Sequence, residues 1–370
     1  MPTPMSPGGF PPHRAASGMD GAGLAPGTPS LGQVLLIYLG LFAVLTVPFW
    51  WQGQVVAPFR PTSEIAAEAH PGPALLENRR LSDYLFQYIP EATAAFDRGQ
   101  SGWLAVWTNR NELGRPIDHL WGLSPAYLPS WFLFAVSDSP YRFATLLSLG
   151  LCVLAGMFVL LWCHEVGLSP LAGLLAGASL AGSPTLIYWL TFPTFNATYC
   201  WAAGALYAAT RLHRRPDLVG WSVLAFTIYS LLMTGYQQLI VFHAYLLGGG
   251  GAWLVYRRWH SSGPVAAARS AAMMTSAVVV GAGLAAPLYL DLVHAASEST
   301  RLAPDPSFFV ANFPPLATLD DIARFVVLST FPEVLANPAS PGFPFVYNGR
   351  SATVVVLFLS VVALLLRHSS

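Results

Sequence analysis

The sequence predicts an all-α polytopic membrane protein with about eight transmembrane helices and two large extracytoplasmic loops, and three observations predict it. Of 370 residues, 54% are hydrophobic and only 10% charged, where a soluble domain carries roughly 25% charged. The apolar residues gather in runs that approach the roughly 20 residues needed to cross about 30 Å of hydrocarbon at 1.5 Å per residue. The acids and the arginines collect in different loops between those runs. Eighteen basic residues, all Arg, balance eighteen acids, which excludes a nucleic-acid binder working through a general basic field and a disordered acidic chain. The long apolar runs exclude a water-soluble enzyme.

Residues 1–32 read as a disordered, Pro/Gly-rich cytoplasmic tail, with seven Pro and six Gly in the first thirty positions and almost nothing to bury. Residues 33–366 form the transmembrane domain, and 367–370 a cytoplasmic end. Eight stretches free of Asp, Glu and Arg are expected to span: 34–51, 143–163, 170–190, 197–210, 219–235, 238–256, 270–290 and 351–366. Continuous apolarity and length make them helices rather than barrel strands. The first ends in Phe49-Trp50-Trp51, an aromatic interface anchor, and begins too late for a cleavable signal. The fourth is short, and Gly235-Tyr236-Gln237-Gln238 alone divides the fifth from the sixth.

Orientation follows from arginines in short loops. Arg211, Arg214 and Arg215 follow the fourth span, Arg257, Arg258 and Arg269 the sixth, and Arg367 the eighth. That side is read as cytoplasmic, in a bacterial inner membrane, with the N-terminus on it. Outer loop 1 (52–142) and outer loop 2 (291–350) hold fifteen of the eighteen acids against ten arginines, leaving −5 outside and +5 inside.

Several familiar signatures dissolve in this context. Gly281-Ala282-Gly283-Leu284-Ala285-Ala286 matches a dinucleotide fingerprint only on paper, because it lies in an apolar span, where small residues serve helix packing. Gly248 to Gly251 is no phosphate loop, since no Gly-Lys-Ser/Thr follows. Asn196-Ala197-Thr198 has the form of a glycosylation sequon. The nine His lack metal-ligand spacing, and His243 reads as a hydrogen-bonded structural residue. Cys152, Cys163 and Cys200 lie in spans as small packing residues; the first two are about 16 Å apart along one helix, too far to bridge.

Outer loop 1 carries the chemistry-bearing residues. Ser82 is a helix N-cap with Asp83 in the first turn, and Leu81, Tyr84, Leu85 and Tyr88 recur at helical spacing, as in a short helix lying on the membrane. Asp83 and Gln87 share a face; complementing the helix dipole is the plainer role for Asp83. Trp103 to Tyr127 mixes Trp, Asn, Arg, Asp and His, as in a reentrant or interfacial loop.

Asp83-x-x-x-Gln87-Tyr88-x-Pro90, Trp107, Gly114-x-Pro116, then Pro125 and Pro129 resemble the first outer loop of bacterial YfhO-type membrane proteins, grouped with the GT-C glycosyltransferases. Gly235-Tyr236-Gln237-Gln238 sits where that family has Gly-His-Pro-Gln. Gly283-Leu284-Ala285-Ala286 through Leu292 to Ser299-Thr300-Arg301 is similar to its seventh-span exit, and Phe331-Pro332 with Tyr347-x-Gly349 to its second outer loop. The likeness covers roughly residues 35–366 in order. Ala105 replaces the usual Pro before Trp107, and the Gly-His-Pro-Gln element has lost its His and Pro. Members of the family are longer, so the chain reads as a C-terminally truncated member.

The resemblance implies a GT-C-like fold and transfer of a sugar from a polyprenyl-phosphate-linked donor to a cell-envelope glycopolymer, lipid or protein on the outer face. A lipid phosphate leaves without protonation, so one carboxylate suffices to deprotonate the acceptor hydroxyl, and Asp83 is the candidate general base. Arg115, Arg301 and Arg350 are candidate phosphate ligands. Trp107, Tyr236 and Tyr347 are placed to stack on a sugar, and Gln87 and Gln237 to bond its hydroxyls; Asp118, His119 and Gln238 complete the substrate-binding set. No dedicated metal ligand is assigned, but a divalent metal (Mg or Mn) would draw on Glu112 and Asp118 beside Asp83. The competing readings are a non-catalytic scaffold binding polyprenyl lipids and a lipid or solute transporter. Against the transporter, no charged residue falls mid-span.

Overall fold

The computed structural model describes residues 29–56, 88–100, 107–108, 115–116, 127–297 and 318–320. Over these the chain is mostly helical. Helix α1 (Leu31–Leu45) opens with a capping box, in which Ser30 accepts from the Gln33 amide and the Gln33 side chain accepts from the Ser30 amide. The helix therefore begins inside the stretch read as tail. It breaks at Thr46, two residues before Pro48, and resumes as the single turn α2 (Val47–Trp50). The eighth expected span, 351–366, lies outside the described residues.

After α2 the described helices continue, the first two of them within the stretch read as outer loop 1. They are α3 (Ile89–Gln100), α4 (Trp131–Val136), α5 (Pro140–Glu165), α6 (Pro170–Ala181), α7 (Pro184–Tyr188), α8 (Pro193–Arg214), α9 (Leu218–Leu232), α10 (Gln237–Ser262) and α11 (Pro264–Ser297). Serine caps followed by proline start α5, α6 and α7: Ser139, Ser169 and Ser183 each accept an amide of the first turn. That device explains the break in the expected span 170–190, where Gly182 closes α6 and Ser183-Pro184 begins α7. The short span 197–210 is in fact 22 residues of helix, about 33 Å. It starts earlier, at Pro193, and runs on through Arg214.

Among the described residues, four helical stretches are long and apolar enough to cross a membrane: Pro140–Glu165, Pro170–Ile187, Leu239–Ser262 and Pro264–Leu290. Their outward faces carry Leu171, Phe242, Tyr245, Leu246, Trp253, Val279 and Leu284, all exposed. Apolar exposure on this scale marks a surface made for lipid. Helix α8 fails the hydropathy test because it brings Thr194, Asn196, Thr198 and Thr210 into the bundle, all buried. It packs against α5, α9 and α10 and is the central helix of the described residues.

Helices α5 and α6 meet backbone to backbone. A Cβ built on Gly156 would stand 2.3 Å from the Gly177 carbonyl oxygen and 2.2 Å from the Tyr38 hydroxyl, and one on Gly177 would stand 2.4 Å from the Gly156 carbonyl oxygen. Tyr38 of α1 closes over this crossing and donates to the Val153 carbonyl at 2.7 Å. Gly281 serves α9 and α11 likewise, a Cβ there lying 2.5 Å from the Ala225 carbonyl oxygen, whereas Gly283 faces open space. The packing reading of that motif therefore holds for its first glycine and not its second. The three cysteines are free and buried.

Gly156→Ala is expected to lower stability in detergent by about 1–3 kcal/mol, the range for overpacking, because backbone must move. Gly283→Ala should leave the thermal midpoint unchanged or slightly raised, and parallel melts of the two variants check this.

Candidate functional site

At one end of the bundle, α3, α4, the α7–α8 turn and the α9–α10 corner come together around aromatic rings. Trp189 and Phe195 stack at 4.0 Å with planes 1° apart, and Tyr236 lies on the other side of Phe195 at 4.2 Å. Phe192 meets the edges of both Trp189 and Phe195, and Tyr88 packs on Phe192 at 5.8 Å. The corner that delivers Tyr236 needs Gly235 at φ +73, a left-handed conformation that a side chain resists. Tyr236 then caps α10, half-buried, and Gln237 follows as an exposed first helical residue.

The floor of this end is polar and bonded largely from within, with Asn196 Oδ1 buried and without a partner among the described residues. Asn196, 0% exposed, donates to Ser148 Oγ at 2.8 Å, to Cys152 Sγ at 3.2 Å and to the Leu186 carbonyl at 3.2 Å. Those bonds tie α8 to α5 and α7. Burial to this degree denies Asn196 to a glycosylating enzyme in the folded chain, so the sequon is a packing residue in disguise. Thr198 donates to the Thr194 carbonyl at 2.8 Å, and its hydroxyl lies 3.1 Å from that of Thr234. Tyr127 is fully buried and accepts from the Trp201 indole N–H. Burial pushes its phenol well above the usual tyrosine range, against the lowering effect of that bond. Tyr127 thus holds its proton and serves the bundle as a hydrogen-bond partner of Trp201.

One ionisable residue at this end was not among the residues singled out from sequence. Glu91, on the first turn of α3, is 2% exposed and lies three residues after Tyr88, on the same face. Helix α3 starts at Ile89 and uses Pro90 in its first turn, where the missing amide hydrogen costs nothing. That signal, Pro followed by an acid, was available.

Of the residues assigned from sequence, Asp83, Gln87, Asp118, His119, Arg301, Tyr347 and Arg350 lie outside the described residues, as does Glu112. Trp107 and Arg115 fall in two short antiparallel strands, β1 (Trp107–Thr108) and β2 (Arg115–Pro116), paired Trp107 with Pro116 and Thr108 with Arg115. Within the stretch read as an interfacial loop, their backbones are therefore neighbours. Gln238 is the second residue of α10. Among the described residues no three His, Cys, Asp or Glu come together as a metal site. His243, its Nδ1 2.7 Å from the Leu239 carbonyl oxygen and its ring edge-on to Tyr199, is placed structurally.

The opposite end gathers the cations. Arg211 and Arg214 of α8, Arg215 after it, Arg257 and Arg258 of α10 and Arg269 of α11 share it with Glu165 and Asp217. Asp217 caps α9 through the Gly220 amide and takes Arg211 at 3.2 Å; Glu165 stands 3.8 Å from Arg214. His213 sits in their midst, with Ser270 Oγ 3.5 Å from its Nδ1. Burial, then Arg258, Arg257 and Arg214, hold its imidazole below the ordinary value of 6.5.

No family model, curated protein or solved structure matches the chain.

Because His213 titrates below its unfolded value, its contribution to stability is complete above pH 6.5 and is lost as pH falls below that. Melts between about pH 7.5 and 5 should show stability falling on acidification, and His213→Gln should flatten that slope.

Proposed function

We propose that this chain is a GT-C-type glycosyltransferase of the bacterial inner membrane, with eight spans and a cytoplasmic N-terminus. It moves a sugar from a polyprenyl-phosphate-linked donor to an envelope acceptor on the extracytoplasmic face. The observation that carries the reading is the end opposite the arginines. There, stacked rings gather with Tyr88 and the buried Glu91, which in sequence directly follow Asp83 and Gln87. Flat rings with a few polar groups at their margin are the usual lining of a site for a partly apolar ligand, and the sugar of a lipid-linked donor is such a ligand.

In this mechanism Asp83 takes the proton of the acceptor hydroxyl as its oxygen attacks the anomeric carbon. The bond from that carbon to the lipid phosphate breaks, and the polyprenyl phosphate leaves with the electron pair. A phosphate needs no protonation to leave, so a second catalytic acid is not required. Arg115, Arg301 and Arg350 hold the phosphate, Trp107, Tyr236 and Tyr347 the sugar faces, and Gln87, Gln237, Gln238, Asp118 and His119 the polar edges. A divalent metal, if the enzyme uses one, would add charge at the phosphate; no step above depends on it.

The test is transfer of radiolabelled sugar from a panel of polyprenyl-phosphate sugars to envelope material by membranes holding the wild type, Asp83→Asn or Glu91→Gln at matched expression. Asp83→Asn should lose at least 100-fold in rate, the usual contribution of a general base. Glu91→Gln should lose less and mainly in stability. Equal transfer by the wild type and Asp83→Asn would remove Asp83 from the mechanism.

A further inference from the structure

The glycine run Gly248–Gly251 sits in the middle of α10, where each glycine costs about 1 kcal/mol of helix propensity relative to alanine. Close packing does not explain it. A Cβ built on Gly248, Gly249 or Gly251 would meet nothing within 4 Å, and one on Gly250 would only touch Leu206 Cδ1 at 3.7 Å. Three of them, Gly248, Gly250 and Gly251, line a space inside the bundle, and Gly249 is exposed on the outer face. Behind them is a cavity of about 560 Å³ between α8, α9, α10 and α11, lined by Ala205, Leu231, Leu247, Gly251 and Met274 among others. Thr275 is the only polar side chain in its wall.

A second cavity, about 470 Å³, opens at the arginine end between α5, α8 and α10. Leu206, Gly250 and Leu254 line both cavities, so the two adjoin across the same three residues. The second is polar at its mouth. Arg214, Arg257 and His213 face Glu165 there, and Trp162 donates to Thr210 at 3.2 Å across its wall. Glu165, 3.8 Å from Arg214, does not make a close charge-assisted bond with it. His213 also lines the next cleft, about 390 Å³, with Arg258 and Arg269. Among the described residues, six arginines against Glu165 and Asp217 leave this end strongly cationic.

A cationic mouth adjoining an apolar groove is the complement of an amphiphile with an anionic head. We propose that the site behind α10 binds one anionic phospholipid from the leaflet facing the arginine end. Its phosphodiester lies between Arg214 and Arg257, and one acyl chain lies in the groove kept open by the glycines. Arginine suits a phosphate by its planar pair of donors, and cations at this depth favour anionic lipid over zwitterionic. Binding here does not depend on sugar transfer at the other end. It would fix α10, whose outer face is largely exposed, against α8 and α11.

The experiment uses the full chain purified in a neutral detergent and titrated with dioleoyl phosphatidylglycerol or dioleoyl phosphatidylcholine. Retained lipid is counted by native mass spectrometry and stability followed by the thermal midpoint. The phosphatidylglycerol should be retained as one molecule and raise the midpoint, and the phosphatidylcholine should do neither. Arg214→Gln combined with Arg257→Gln should weaken retention roughly thirtyfold, two cations' worth at the membrane surface. Gly250→Leu should abolish it by filling the space toward Leu206. The double arginine variant sits at the open mouth, so it keeps the test decisive even where Gly250→Leu fails to fold. Equal retention of the two lipids, or undiminished phosphatidylglycerol retention by the double variant, would overturn the proposal. So would an equal rise in midpoint with inorganic phosphate alone, which would make the site one for a free anion.

Discussion

Asn196 is the residue on which the arrangement of the described helices turns. An amide with no water to reach must find partners inside the protein. Its three bonds, to Ser148, Cys152 and the Leu186 carbonyl, fix α8 against α5 and hold α7 at the head of the bundle. Individual bonds of this kind inside membrane bundles contribute only about 0.6 kcal/mol on average. Their value is in specificity: a different rotation of α8 would strand the amide, together with Thr194, Thr198 and Thr210, in hydrocarbon. Once α8 is set, the stacking of Phe195 on Trp189 and the reach of Tyr236 to Phe195 follow, since Phe195 directly precedes Asn196.

The polar spine also separates the ends of the molecule. Above it, toward the α7–α8 turn, the walls are rings and hydroxyls with one buried carboxylate. Below it, from Thr210 onward, they are arginines. Charges at a single end interact with one another through a medium of low polarity, which is how three arginines on two helices act on His213. The separation is what makes a two-ended molecule chemically useful. An anionic headgroup at one end and a lipid-linked sugar at the other would meet different surfaces and would not compete.

Much of this was legible in the sequence. Apolar run length located helices at seven of the eight expected spans, and the lone Gly235-Tyr236 separator was a true corner. The arginine positions foretold a shared end because alternating spans must return to the same side. Less legible was anything that depends on which residues meet. The short fourth span was undercounted because Thr194 and Asn196 look like loop until their partners on α5 and α7 are known. Glu91 was passed over because Pro90 reads equally well as the end of one helix or the start of another. The glycines of α10 were read only as no phosphate loop, since the neighbouring helices alone reveal whether space or backbone faces them. Of the proposed site, Tyr236, Gln237 and the backbones of Trp107, Arg115 and Gln238 fall among the described residues.

The two glycine groups carry the contrast furthest. At Gly156 and Gly177 the missing side chains let backbones touch, and the contact energy gained in a membrane, where apolar burial alone drives nothing, offsets the propensity lost. At Gly248 to Gly251 the same propensity is given up with almost no contact in return among the described residues. A helix that surrenders about 1 kcal/mol per glycine and lines an apolar space gains stability from whatever fills that space. In a bilayer the material at hand to fill an apolar groove is an acyl chain, and the arginines at its mouth select which lipid brings it.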